Sequence, residues 1–134
     1  MAPERAREEV AKLAAGGMAV ELVELAGQWY AHSRSGPMPS PPWNKSSFDI
    51  LIAIPAAYDA ADLDAFYVEL PCQFGGGDHS RIQGQVIELL GRQWRLVSWH
   101  YPDDRPWIRG VDNLETHIVH CRGFFLDRGA VNAK

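Results

Sequence analysis

Cysteine is scarce: Cys72 and Cys121 are the only two in 134 residues. That excludes the dense disulfide framework of a small secreted domain. Long apolar runs are missing too, and no stretch approaches the roughly 20 residues that a membrane-spanning helix requires. Met1 to Glu9 alternates acids with arginines and has no apolar core of the kind a signal peptide carries. There is no basic excess: 13 lysines and arginines stand against 17 aspartates and glutamates, for a net charge of -4. That balance provides no electrostatic footprint for nucleic acid. No internal repeat occurs. The chain therefore reads as one cytoplasmic globular domain over residues 1–134, with neither membrane nor nucleic acid as partner.

What is present is a set of short apolar segments divided by glycine and proline. Residues 3–15 read as a helix, with Ala6, Val10 and Leu13 on one stripe, Glu8 and Lys12 as an i,i+4 pair, and Gly16-Gly17 as the stop. Residues 18–34 fit a helix or a hairpin; Ala26-Gly27 resembles a hairpin turn, and two strands at 20–25 and 28–32 are the preferred reading. Four prolines between Ser35 and Asn44 predict an extended loop, with Trp43 as its packing anchor. Strands are expected at 48–54, 66–70, 82–90 and 93–100, with Gly91-Arg92 turning between the last two. Residues 113–128 read as a helix with Leu114, Ile118, Cys121 and Phe125 on its apolar stripe. Asp112 or Asn113 caps it, Arg122 and Arg128 lie toward its end, and Gly129 follows. Helix, antiparallel strands, helix is an α+β order, with helices packed on one sheet.

Several clusters invite a chemical reading. His117, His120 and Cys121 suggest a metal site, but zinc takes three or four ligands and Cys121 belongs to the buried stripe. The expectation is no metal and no cofactor, with two partly exposed helix histidines. Gly75-Gly76-Gly77-Asp78-His79-Ser80 lacks the lysine of a phosphate loop and opens no helix, so it reads as a plain connection. Cys72 follows Pro71 and reads as an inert strand-end residue, with exposure and reactivity as the other possibility. Ser98-Trp99-His100 ends a strand. Alternation sends Ser98 and His100 to one side and Trp99 to the other. A serine and a histidine on one face suit a nucleophile and its base, although direct contact then needs a favourable rotamer or a bridging water.

Three segments together resemble the ubiquitin-conjugating-enzyme (UBC) superfamily, in particular a divergent prokaryotic class found in operons with a ubiquitin-like protein. The first is Ile54-Pro55-Ala56-Ala57-Tyr58 followed by Asp64-Ala65-Phe66-Tyr67, similar to the family's turn before its central strands. The second is Ser98-Trp99-His100, similar to a serine–basic–histidine signature of the prokaryotic class. The third, Trp107 to Leu114, resembles the tryptophan-led segment that enters a helix, with Asp112 and Leu114 at the helix opening. The resemblance covers Phe48 to Phe125. It implies an antiparallel meander sheet of about four strands between an N-terminal and a C-terminal helix. It also implies a ubiquitin-like protein and a ubiquitin-activating-enzyme-like protein as partners.

The departures from that family are specific. The usual His-Pro-Asn segment is absent. Counting back from Trp107 by the family's spacing reaches Ser98, Trp99 and His100, where the catalytic cysteine is expected and none stands. Cys72 lies too far upstream, and Cys121 lies on the helix stripe. Thiols are partly ionised near neutral pH, whereas a serine hydroxyl needs an adjacent base. Two readings follow. In one, Ser98 accepts the C-terminus of a ubiquitin-like protein as an oxyester, His100 is the base, and Asp103 or Asp104 orients that histidine. In the other, the domain is a non-catalytic scaffold, and Trp99, His100, Tyr101, Asp103, Asp104, Trp107 and Asp112 bind partners or support the loop. A same-face serine and histidine at the vacated position favours the first. A plain interaction domain using its proline-rich loop is a third possibility. Trp107 is expected to pack on the sheet and set the path of residues 101–106.

Overall fold

The computed structural model describes residues 1–126. Its elements are α1 (Glu4–Ala15), β1 (Val20–Leu25), β2 (Gln28–Pro37), β3 (Ser47–Ile54), β4 (Phe66–Glu69), β5 (Ile82–Leu89), β6 (Arg92–Val97) and α2 (Leu114–Gly123), followed by a 3-10 turn at Phe124–Leu126. This α+β arrangement, with one helix before and one after an antiparallel sheet in chain order, is consistent with the UBC-like fold. The sheet has six strands rather than about four, because both tight hairpins, β1–β2 and β5–β6, join it. Nor is it a simple meander: the order is β1-β2-β3-β4-β6-β5. Residues 70–81 carry the chain past one strand position, and the next hairpin returns β6 to pair antiparallel with β4.

Residues 18–34 fold as a hairpin. Ala26 and Gly27, at φ 50° and 85°, make the two-residue turn that matches the twist of the flanking strands. The second hairpin turns at Leu90-Gly91 instead of Gly91-Arg92. Leu90 and Gly91 have φ 57° and 71°, which leaves Arg92 in the ladder opposite Leu89. Strand β2 runs to Pro37, so the extended loop begins later than expected. Trp43 anchors that loop: it is buried, and its indole N–H donates to the Phe125 carbonyl at 2.9 Å.

Helix α1 buries Ala6 and Val10, and its i,i+4 ion pair is Arg5–Glu9. Helix α2 opens on Asn113, whose side chain accepts from the Thr116 N–H, while the Thr116 hydroxyl accepts from the Asn113 N–H. This reciprocal cap satisfies two otherwise orphaned donors. The α-helix stops at Gly123, five residues short of the expected end, and Phe125 lies in the 3-10 turn. Arg128 and Gly129 lie outside the described residues. Ile50, Ile52 and Ile54 point from β3 toward the helices, with Phe48, Phe66, Ile118 and Phe124. Leu51 and Ala53 point the other way, toward Tyr30, Tyr67 and Trp94. Each such buried side chain stabilises the fold by roughly 1.5–3 kcal/mol. Among the described residues, no helix is long and apolar enough to cross a membrane.

Candidate functional site

Strand pairing builds the site. Phe66 of β4 lies opposite Val97 of β6. Continuing that antiparallel register outward brings Ala65 and Asp64 alongside Ser98, Trp99 and His100. Strand β6 ends at Val97, so Ser98 and His100 lie just beyond the strand on which they were expected. The Ser98 N–H still donates to the Arg81 carbonyl at 2.9 Å, and the Arg81 guanidinium donates to the Ser98 carbonyl at 3.3 Å. Trp99 projects away, stacks on His120 at 5.7 Å and donates its indole N–H to the His120 carbonyl at 2.9 Å. That anchor leaves Ser98 and His100 together on the outside.

The two side chains touch: Ser98 Oγ and His100 Nε2 are 3.2 Å apart. His100 Nδ1 lies 2.9 and 3.0 Å from the two carboxylate oxygens of Asp64. An ionised carboxylate only accepts, so Nδ1 carries the ring hydrogen. Nε2 of the neutral ring is then an acceptor aimed at the serine hydroxyl, which is the tautomer a general base requires. The carboxylate that reaches His100 thus belongs to Asp64. Asp103 and Asp104 are exposed in the following loop.

Asp64 escaped the sequence reading because it belongs to a run of acids, Asp59, Asp62 and Asp64, that looks like a solvated loop. Only the β4–β6 register brings it to His100. A shallow cleft of about 490 Å³ opens beside it, lined by residues 62–64 and 100–103 with Pro106 and Trp107.

The floor is aromatic. Tyr101 stacks on His120 with ring centroids 4.0 Å apart and sets its hydroxyl 2.7 Å from His117 Nδ1. Trp107 meets Tyr101 and His117 edge-on at 5.7 and 6.0 Å, so its ring contacts come from the loop and α2. His117 is fully buried, not partly exposed, and its Nε2 lies 2.9 Å from the Ala65 carbonyl. Burial depresses its pKa to about 4, and burial together with Arg105 lowers that of His120. Burial raises the Tyr101 phenol above its ordinary value. Asp112 closes the turn before α2 by accepting from the Ile108 N–H at 2.8 Å. Tyr58 is buried and donates its hydroxyl to Glu9 at 2.7 Å; Glu9 also accepts the Leu114 N–H at 2.9 Å, tying the first and third resembling segments to α1.

Neither thiol competes with Ser98. Cys72 is buried, and desolvation pushes its thiol up to about 12. Cys121 is buried in the core, its Sγ 3.7 Å from the Ala65 carbonyl. Among the described residues no group of three or more His, Cys, Asp or Glu side chains is gathered to hold a metal ion.

Residues 6–125 match the family model described as Prokaryotic E2 family E, so the match reaches into the N-terminal helix and hairpin as well as the three segments above. Neither the curated proteins nor the solved structures give a match.

Proposed function

The chain belongs to Prokaryotic E2 family E, and on that premise we propose that it takes the C-terminus of a ubiquitin-like protein as an oxyester on Ser98, with His100 as base. Membership of an E2-like family carries a role in ubiquitin-like conjugation, and with it interaction with a ubiquitin-like protein and its activating enzyme. The observation that supports the finer reading is the Asp64–His100–Ser98 hydrogen-bond chain, at the position where spacing from Trp107 calls for a nucleophile.

Ser98 Oγ attacks the thioester carbonyl delivered by the activating enzyme. Its proton passes to His100 Nε2, and the imidazolium that forms is held by Asp64. Collapse of the tetrahedral intermediate expels the thiolate, which takes the proton from His100. The ubiquitin-like chain is left on serine as an ester.

The test is incubation with the cognate activating enzyme, ubiquitin-like protein and ATP. An adduct that resists thiol, is cleaved by hydroxylamine and disappears in Ser98→Ala supports the oxyester. Binding that survives Ser98→Ala, with neither an adduct nor Ser98-dependent ATP consumption in the wild type, overturns it in favour of a non-catalytic scaffold.

A further inference from the structure

We propose that the same Asp64–His100–Ser98 chain is a hydrolytic centre, which cleaves acyl thioesters and activated esters with water and releases a free carboxylate. The inference rests on the reading of Ser98 as the acyl acceptor and extends it to the fate of the ester. Three observations carry it. The hydroxyl, imidazole and carboxylate stand in hydrogen-bonded order at 3.2 and 2.9 Å, in the tautomer that removes a proton from oxygen. The site is open: the His100 and Asp64 side chains line the cleft and are 55% and 57% exposed, and Ser98 is exposed as well. Both cysteines are buried, so an incoming acyl group meets serine and not thiol.

The chemistry runs in two balanced steps. In acylation the Ser98 Oγ–carbon bond forms and the carbon–sulfur bond breaks. The serine proton travels through His100 Nε2 to the departing thiolate, which leaves as a thiol. In deacylation a water oxygen bonds to the acyl carbon and the carbon–Oγ bond breaks. One water proton passes through His100 back to Ser98, and the acyl group departs as a carboxylic acid that ionises in solvent. The base that activates serine is equally placed to activate water once the hydroxyl is acylated. Water reaches it without any movement of the chain. An oxyester at this site is therefore transient, and turnover sets a time limit on each charged molecule. Asp64 is a positioning residue, holding the His100 tautomer and stabilising its cation.

The purified protein alone, with p-nitrophenyl acetate, tests the inference without any conjugation partner. Wild type is expected to release nitrophenol with multiple turnovers and to label at Ser98 with a fluorophosphonate probe. Ser98→Ala should lose the label and fall to the buffer rate. His100→Ala and Asp64→Asn should lower kcat by about 100-fold or more with KM little changed, and Asp64→Glu should recover part of the loss. All three positions are exposed, and unchanged thermal melts will show that the variants fold. Hydrolysis by Ser98→Ala at the wild-type rate, or wild type at the buffer rate, overturns the proposal. Hydrolysis of the small ester, with neither an adduct nor Ser98-dependent ATP consumption in the partner assay, keeps this inference and removes the conjugation reading. A lasting adduct without ester hydrolysis does the reverse.

Discussion

The Tyr101 hydroxyl donates to Nδ1 of His117 across 2.7 Å, from the loop that follows the candidate nucleophile to the helix beneath it. The direction follows from the other ring nitrogen. His117 Nε2 faces the Ala65 carbonyl at 2.9 Å and must be the N–H, so Nδ1 of the neutral ring accepts. One imidazole therefore ties together the chain on both sides of the site: Ala65, next to Asp64, and Tyr101, next to His100. Protonation would put a hydrogen on Nδ1, where it faces the phenol hydroxyl, and a charge in the core.

This arrangement makes the fold sensitive to acid. The His117 imidazole takes a proton near pH 6.5 in the unfolded chain and near 4 in the folded one. Between those values the unfolded state binds more protons, so stability rises with pH across that window. The contribution, on the order of 3 kcal/mol, is complete above pH 6.5 and is lost as pH falls to about 4. Urea melts at pH 7 and pH 5 should show the loss. His117→Gln keeps one N–H and one oxygen without a titrating ring, and should flatten the slope. An equal slope in both proteins would assign the acid sensitivity elsewhere.

Trp107 rests against Tyr101 and His117 and holds the 101–106 loop over α2. It is half-buried, so truncation costs less than the loss of a core ring, about 1–3 kcal/mol. Trp107→Ala should lower the melting temperature measurably. No change would remove this ring from its supporting role.

Gly36 leaves room for the end of the Arg122 side chain. A Cβ built there would lie 0.8 Å from Nη1 of Arg122, on the inner side of a bulged strand. The guanidinium is held there by a hydrogen bond to Ser33 Oγ at 2.6 Å. Gly36→Ala must displace it and should cost about 1–2 kcal/mol in a denaturant melt. In an Arg122→Ala background the same substitution should cost far less. Additive losses in that double-mutant cycle would contradict the coupling.

Much of this was legible in the sequence because it is local. The Ala26-Gly27 turn, the Trp43 anchor, the α2 stripe and the shared side of Ser98 and His100 each follow from spacing within a few residues. The site's third member did not, since Asp64 meets His100 only through the pairing of β4 with β6. Nothing local distinguishes that aspartate from Asp62 or Asp103. The strand order escaped for the same reason: the skip over residues 70–81 rests on the long-range pairing of β4 with β6, not on the turn chemistry of either hairpin. The apolar stripe of Leu114, Ile118, Cys121 and Phe125 does not include His117, so its full burial is not predicted locally. Its burial comes from Tyr101 and Trp107 folding over it.

Ala65 is the joint on which the candidate site turns. Its φ of 52° lies in the left-handed region, which costs an L-residue about 1–2 kcal/mol and costs a β-branched one more. The same residue aims its carbonyl at His117 and hands the chain from Asp64 into β4. Glycine suits this conformation, so Ala65→Gly should keep the fold within about 1 kcal/mol of wild type and leave Asp64 in place. Valine does not suit it, and the site is buried, so Ala65→Val should lose about 2 kcal/mol or more. Relaxing that strain moves Asp64 off His100, so the valine variant should also lower kcat for ester hydrolysis at a temperature where it remains folded. If both variants match wild type in stability and turnover, the backbone at Ala65 does not set the position of Asp64.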